Sequence, residues 1–145
     1  MVLRRLEWHL HNQETFHQTM TGFRRHVFTQ DTMLRIKQDV YDYPSTAQTR
    51  TIIGIDIRKA FDNVSHQAIF DKIAEISPGK RLEAYIRSFL SNRTIRIKIG
   101  EYKSEEKVIT PGVPQGAILS PTLFNIAMKD LPHKLHDITN VQSAV

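Results

Sequence analysis

Two carboxylates, Asp56 and Asp62, lie within the stretch IDIRKAFD, with Phe61 beside the second. Asp56 stands in a β-branched run, with Ile52, Ile53 and Ile55 before it and Ile57 after it. Such a run reads as a strand with both faces covered. A carboxylate on that strand would be held rigidly, as a catalytic or ligating group needs to be. Burying it without a partner is costly, so a counter-group is expected: a structural cation, a metal or a substrate. Hard cations such as Mg²⁺ take oxygen ligands, often one or two carboxylates together with substrate phosphates. Asp56 is therefore read as functional. Asp62 could pair with it, but a turn or helix-start residue favoured by the helix dipole explains it as well, and that reading is preferred.

A second stretch with chemical promise is GVPQG, residues 112–116. Its glycines and proline shape a tight loop where backbone can approach a ligand closely, and Gln115 offers a donor and an acceptor. A loop of this kind just before a helix N-terminus can face a phosphate, although many surface turns share the composition. Seven histidines raise the question of zinc. Their close pairs, His9 with His11 and His133 with His136, lack the zincin spacing and any cysteine partner, so exposed polar residues are expected there. His66 is read as a packing or hydrogen-bonding residue and Trp8 as core or helix packing. Ser120 precedes Pro121 and reads as a helix N-cap rather than a nucleophile.

The elements that would carry these groups follow from periodicity. Leu3, Leu6 and Leu10 predict a helix at the start. Thr29 could cap a second, with Met33, Leu34, Ile36, Val40 and Tyr41 on or near one face. Pro44 and residues 45–49 predict a loop ahead of the strand at 51–57. A helix is expected from about Ser65, burying Ile69, Phe70, Ile73 and Ile76 and ending at Ser77-Pro78-Gly79. Leu82, Tyr85, Ile86, Phe89 and Leu90 mark another. Ile95, Ile97 and Ile99 then alternate with Arg96 and Lys98, predicting a half-buried strand, and Val108 and Ile109 a returning one. Leu123, Phe124, Ile126 and Ala127 form a helix that stops before Pro132, and residues 133–145 are weakly patterned. The class is α+β, or mixed α/β.

With 145 residues the chain can bury a real core. It has no cysteine, which excludes disulfides and thiolate metal sites. No apolar run approaches a membrane span and no secretory leader is expected, so an intracellular chain without membrane contact is anticipated, nuclear or cytoplasmic. Net charge is +5, with nine Lys/Arg against five Asp/Glu over residues 51–100. Such a basic zone could contact phosphates, although charge alone favours a solvated surface.

Taken together, IDIRKAFD and the downstream GVPQGAILSPTLFNI resemble the palm of reverse transcriptases, nearest in kind to those of non-LTR (LINE-type) retrotransposons. TGFRRHVFTQDTML at 21–34, AFDNVSHQAIFDKI at 60–73 and FLSNRTIRIKIG at 89–100 extend the likeness over nearly the whole chain. The resemblance implies part of a right-hand polymerase: residues 1–50 as fingers-side helices, 51–131 as palm motifs A and B, and 132–145 as a truncated tail. It implies an RNA-directed DNA polymerase acting with an RNA template, a DNA primer and dNTPs, through two Mg²⁺ ions with Mn²⁺ as an alternative. Asp56 would be the first catalytic aspartate and a ligand of both ions, with the backbone carbonyl of Ile57 as a further ligand. Phe61 would be the aromatic gate that clashes with a 2′-hydroxyl. Pro114, Gln115 and Gly116 would line the nucleotide site. Arg24 belongs to a fingers-side motif, its role near template or nucleotide unassigned, and Arg93, Arg96 and Lys98 are candidates for nucleic-acid contacts, with a solvated strand face as the equal alternative.

One departure matters. The family draws further carboxylates from a motif C hairpin bearing an Asp-Asp pair, and no such pair occurs in this sequence. The expectation is a fragment, cut at both ends, that does not polymerise by itself and folds marginally because strand 51–57 keeps an unpaired edge. The alternative is a non-catalytic palm-derived module that binds nucleic acid or protein. An unrelated magnesium phosphotransferase would need a second acidic motif.

Overall fold

A computed structural model describes residues 1–42 and 51–138. Seven helices occur among them: α1 (Val2–Asn12), α2 (Thr29–Lys37), α3 (Ala60–Asn63), α4 (His66–Ile76), α5 (Lys80–Leu90), α6 (Ser120–Ala127) and α7 (Leu131–His136). Four short strands lie between α5 and α6: β1 (Arg93–Ile95), β2 (Lys98–Ile99), β3 (Tyr102–Lys103) and β4 (Lys107–Ile109). A π-helical turn, Gln38–Asp42, extends α2. The class is thus mixed helix and small sheet, as the periodicity predicts.

The core is helical. Leu6 and Leu10 of α1, Ile69, Ile73 and Ile76 of α4, Ile86 and Leu90 of α5, and Leu123 and Ile126 of α6 are buried in one cluster with Val113 and Leu119. These positions recur three or four apart, so each helix turns one apolar stripe inward. Full burial of such a side chain contributes about 1.5–3 kcal/mol, which makes α4, packed against both α5 and α6, the central element. Ser65 caps α4, its Oγ accepting from the Ala68 amide at 3.4 Å. Ser77 in the left-handed conformation closes α4, and Pro78 and Gly79 turn the chain into α5. The short linker lets the two helices pack as a pair.

Several expectations need correction. Residues 51–57 form no strand, and their isoleucines are exposed: Ile53 and Ile55 by 79% and 78%. A β-branched run favours extended backbone, but a strand exists only where a neighbour supplies its hydrogen bonds. The ladders among the described residues join β1 to β4 and β2 to β3, and neither takes in this segment. Similarly, Ile95, Ile97 and Ile99 are exposed, because β1–β4 make a projecting antiparallel hairpin without a layer against it. Met33, Leu34 and Tyr41 are exposed too, and α2 buries none of its residues. Thr29 is the first residue of α2 rather than its cap; instead Asp31 accepts from the Phe28 amide at 2.7 Å. Trp8 faces solvent, and α7 occupies the start of the supposedly unpatterned tail. The loop expected at 44–49 lies outside the described residues.

Candidate functional site

The two stretches with chemical promise meet. Lys59, in the left-handed conformation, turns the extended segment into α3. The 112–116 loop lies along that short helix. The Gly112 amide donates to the Val64 carbonyl at 2.9 Å, and the Val113 amide donates to the Phe61 carbonyl at 2.8 Å. His66 Nε2 and the Gly112 carbonyl are 2.6 Å apart, which requires the ring to donate from Nε2. Gly112 has φ +87°, and a Cβ there would stand 2.6 Å from the Asp62 carbonyl oxygen and 2.8 Å from both Asp62 Cα and the Phe61 carbonyl oxygen. Glycine is therefore required for close approach at 112. Gly116 also has positive φ, but nothing lies within 4 Å of its Cβ position.

Side chains complete the join. Gln115 Nε2 donates to Asp62 Oδ1 at 3.1 Å. Asp62 is thus the helix-start residue expected, and it also orients Gln115. The Phe61 ring stacks on Phe124 of α6, with centroids 5.1 Å apart, and meets Phe23 edge-on at 5.9 Å. Ser120 is not an N-cap. It is the first residue of α6, buried, and its Oγ donates to the Pro114 carbonyl at 2.6 Å, fastening the loop to the helix. Asn125 of α6, also buried, donates from Nδ2 to the Gly22 carbonyl at 2.7 Å. So α6 holds three segments together: the 22–24 turn, α3 and the 112–116 loop.

The remaining site residues divide. Asp56 and Ile57 lie on the exposed segment, against the expectation of a buried carboxylate. Arg24 Nη1 donates to the carbonyls of His17 and Met20 at 3.1 and 2.9 Å, and its guanidinium lies over the Phe16 ring, so it braces the loop after α1. Arg96 pairs with Glu106 at 3.3 Å across the hairpin, and Lys98 stands exposed opposite Lys103. Arg93 is half-buried beside Ile109.

Among the described residues, no three His, Asp or Glu side chains converge where a metal ion could sit. Asp56 with the Ile57 carbonyl offers fewer oxygens than octahedral Mg²⁺ takes. The described residues alone do not fit a pair of ions.

Sequence reasoning marked the GVPQG glycines for close backbone approach and His66 for packing or hydrogen bonding, but missed their partners, and it missed Asn125. The bonds of His66 and Asn125 join residues 46 and 103 positions apart, and local sequence gives no signal for such partners.

The reverse transcriptase (RNA-dependent DNA polymerase) family profile matches residues 1–144. The chain belongs to this family. Its reverse transcriptase relatives include "RNA-directed DNA polymerase from mobile element jockey" of Drosophila melanogaster, 32% identical over 111 residues, which are 77% of this chain and 12% of that protein. Another is "Retrovirus-related Pol polyprotein from type-1 retrotransposable element R2" of Popillia japonica, 36% identical over 90 residues, 62% of this chain and 15% of that one. "Probable RNA-directed DNA polymerase from transposon BS" of Drosophila melanogaster is 27% identical over 111 residues, again 77% of this chain and 12% of the relative. The reverse transcriptase chain thus spans a small part of the curated relatives it matches. The resemblance read from IDIRKAFD and GVPQG is borne out at the level of family. No helix among its described residues is long and apolar enough to cross a membrane.

Proposed function

We propose that this chain is the part of a retrotransposon RNA-directed DNA polymerase that selects the incoming nucleotide, its α3 and 112–116 loop corresponding to palm motifs A and B. The observation that carries this reading is the backbone join of Gly112 and Val113 to Val64 and Phe61, with Gln115 bonded to Asp62, the chain neighbour of Phe61. In the complete enzyme, an RNA template, a DNA primer and dNTPs are the substrates. Phe61, held between Phe23 and Phe124, is the sugar gate, because a ring that cannot swing aside is what excludes a 2′-hydroxyl. Gln115, aligned by Asp62, with Pro114 and Gly116 shaping its loop, contacts the nucleotide. Asp56 and the Ile57 carbonyl would hold a metal ion only together with further carboxylates. Residues 1–145 by themselves therefore do not incorporate dNTPs.

The test is Phe61→Ala in a complete polymerase carrying this segment. A pocket contact of this kind is worth about 1–3 kcal/mol, or roughly 10- to 200-fold in selectivity. Ribonucleotide incorporation relative to deoxyribonucleotide should rise within that range. An unchanged ratio refutes the gate. Magnesium-dependent incorporation by the 145-residue chain, lost in Asp56→Ala, refutes its inactivity.

A further inference from the structure

The solvent face of α1 and the turn from α4 into α5 enclose an open groove of about 690 Å³. Arg4, Arg5 and Trp8 line it from α1, and Lys80 and Arg81 from the first turn of α5. Among the described residues no acidic side chain lines it. His9 stands in the wall, its Nε2 3.1 Å from the Ile76 carbonyl at the end of α4, a bond that fixes how far apart the two sides stand. Trp8 is 66% exposed, although core or helix packing was expected of it. Among the described residues none of the four cations is ion-paired. Lys80 and Arg81 also sit at the positive end of the α5 dipole, where cations are disfavoured, and the nearby Glu83 is committed to Arg87. Four unpaired cations around one groove, two of them at a helix N-terminus, repel one another, and a polyanion relieves that repulsion.

We propose that this groove binds single-stranded nucleic acid, with a base stacked on Trp8 and phosphates on Arg4, Arg5, Lys80 and Arg81. An exposed aromatic face framed by cations is the arrangement by which proteins hold unpaired strands without sequence preference. An inorganic anion or acidic peptide would use the cations and leave the indole idle, and a duplex would hide its base faces. The groove shares no residue with the site around Phe61 and Gln115, and the inference stands independently of the polymerase reading.

Trp8 is the chain's one tryptophan, so its fluorescence reports on the groove alone. The 145-residue chain is titrated with oligo-dT and oligo-U of about twelve nucleotides, within the usual site sizes. Saturable quenching is expected. Four phosphate contacts predict about 50-fold weaker binding between 50 and 200 mM salt, and Arg5→Gln/Arg81→Gln should reduce that to about sevenfold. Trp8→Leu, followed by anisotropy of a labelled oligonucleotide, should weaken binding about 5- to 150-fold, the worth of one stacked base. The same variant should leave polyphosphate binding unchanged. Absence of quenching, an unaltered salt slope in the double variant, or equal loss of oligonucleotide and polyphosphate binding in Trp8→Leu would each overturn the proposal. No readout involves incorporation, so failure here is distinct from failure of the nucleotide-site reading.

Discussion

Replacing Gly112 by alanine tests the join between α3 and the 112–116 loop at its tightest point. The new methyl would meet the Asp62 carbonyl oxygen at 2.6 Å and Asp62 Cα and the Phe61 carbonyl oxygen at 2.8 Å, all backbone atoms that cannot rotate away. Two costs add. A left-handed φ costs a non-glycine residue about 1–2 kcal/mol, and overpacking costs about 1–3 kcal/mol. If the loop lifts to relieve the clash, it gives up the bonds from Gly112 and Val113, each worth a net of about 1 kcal/mol. Either way the expected loss is about 2–5 kcal/mol, a large share of the roughly 5–15 kcal/mol that holds a typical domain together. Gly116→Ala is the internal control: it has φ +81° but open space around it, so only the conformational cost of about 1–2 kcal/mol applies. Urea unfolding of both variants beside the parent chain measures the difference. Equal destabilisation by the two substitutions would show that the close approach at Gly112 contributes nothing.

Two further expectations concern the same scaffold. Asn125→Ala should destabilise by about 1–3 kcal/mol, because the Gly22 carbonyl loses its donor and no longer ties the 22–24 turn to α6; faster amide exchange near residues 20–25 without change in α4 is the signature, and uniform exchange would contradict it. The second concerns pH. The hydrogen bond from Lys72, with a further one from Lys129, holds the Asp130 carboxyl below its ordinary value, and those from Lys129 and Lys72 do the same for Glu75. These carboxylates stabilise the fold above their ordinary values near 3.8 and 4.5, and that contribution is lost as pH falls through their lowered folded values. Asp130→Asn should therefore cost a fraction of a kcal/mol at neutral pH, as exposed ion pairs do, and flatten the acid limb of stability. A parallel acid limb in parent and variant would remove the cluster from consideration. Lys72, raised by its bond to Asp130, contributes below its ordinary value of 10.5 and loses that only as pH rises through the raised one.

The helical part of the fold was legible because a helix's hydrogen bonds are internal. Ile69, Ile73 and Ile76 announce α4, Ser65 and Ser77-Pro78-Gly79 bound it, and nothing distant is needed to form it. The strand at 51–57 failed for the converse reason: isoleucine content expresses a preference, whereas pairing depends on a partner that composition does not name. The alternation at Ile95, Ile97 and Ile99 marked a hairpin correctly but not its exposure, since that depends on whether another layer covers it. Trp8 was misjudged because residue type gives only an average burial. For the site, Asp62 and Gln115 each looked like an ordinary turn residue. Their contact across 53 positions accompanies the main-chain bonds of Gly112 and Val113 to Val64 and Phe61, which local sequence does not encode.

The join of loop to α3 is made chiefly by main-chain atoms: two amides and two carbonyls from residues 61, 64, 112 and 113. Such a clamp does not read the side chain at 61. The position can change identity, losing its ring contacts with Phe23 and Phe124, while its backbone continues to dock the loop. Placement of the loop and identity of the side chain at 61 are thereby separable: substitutions at residue 61 can accumulate without first dismantling the frame that presents it.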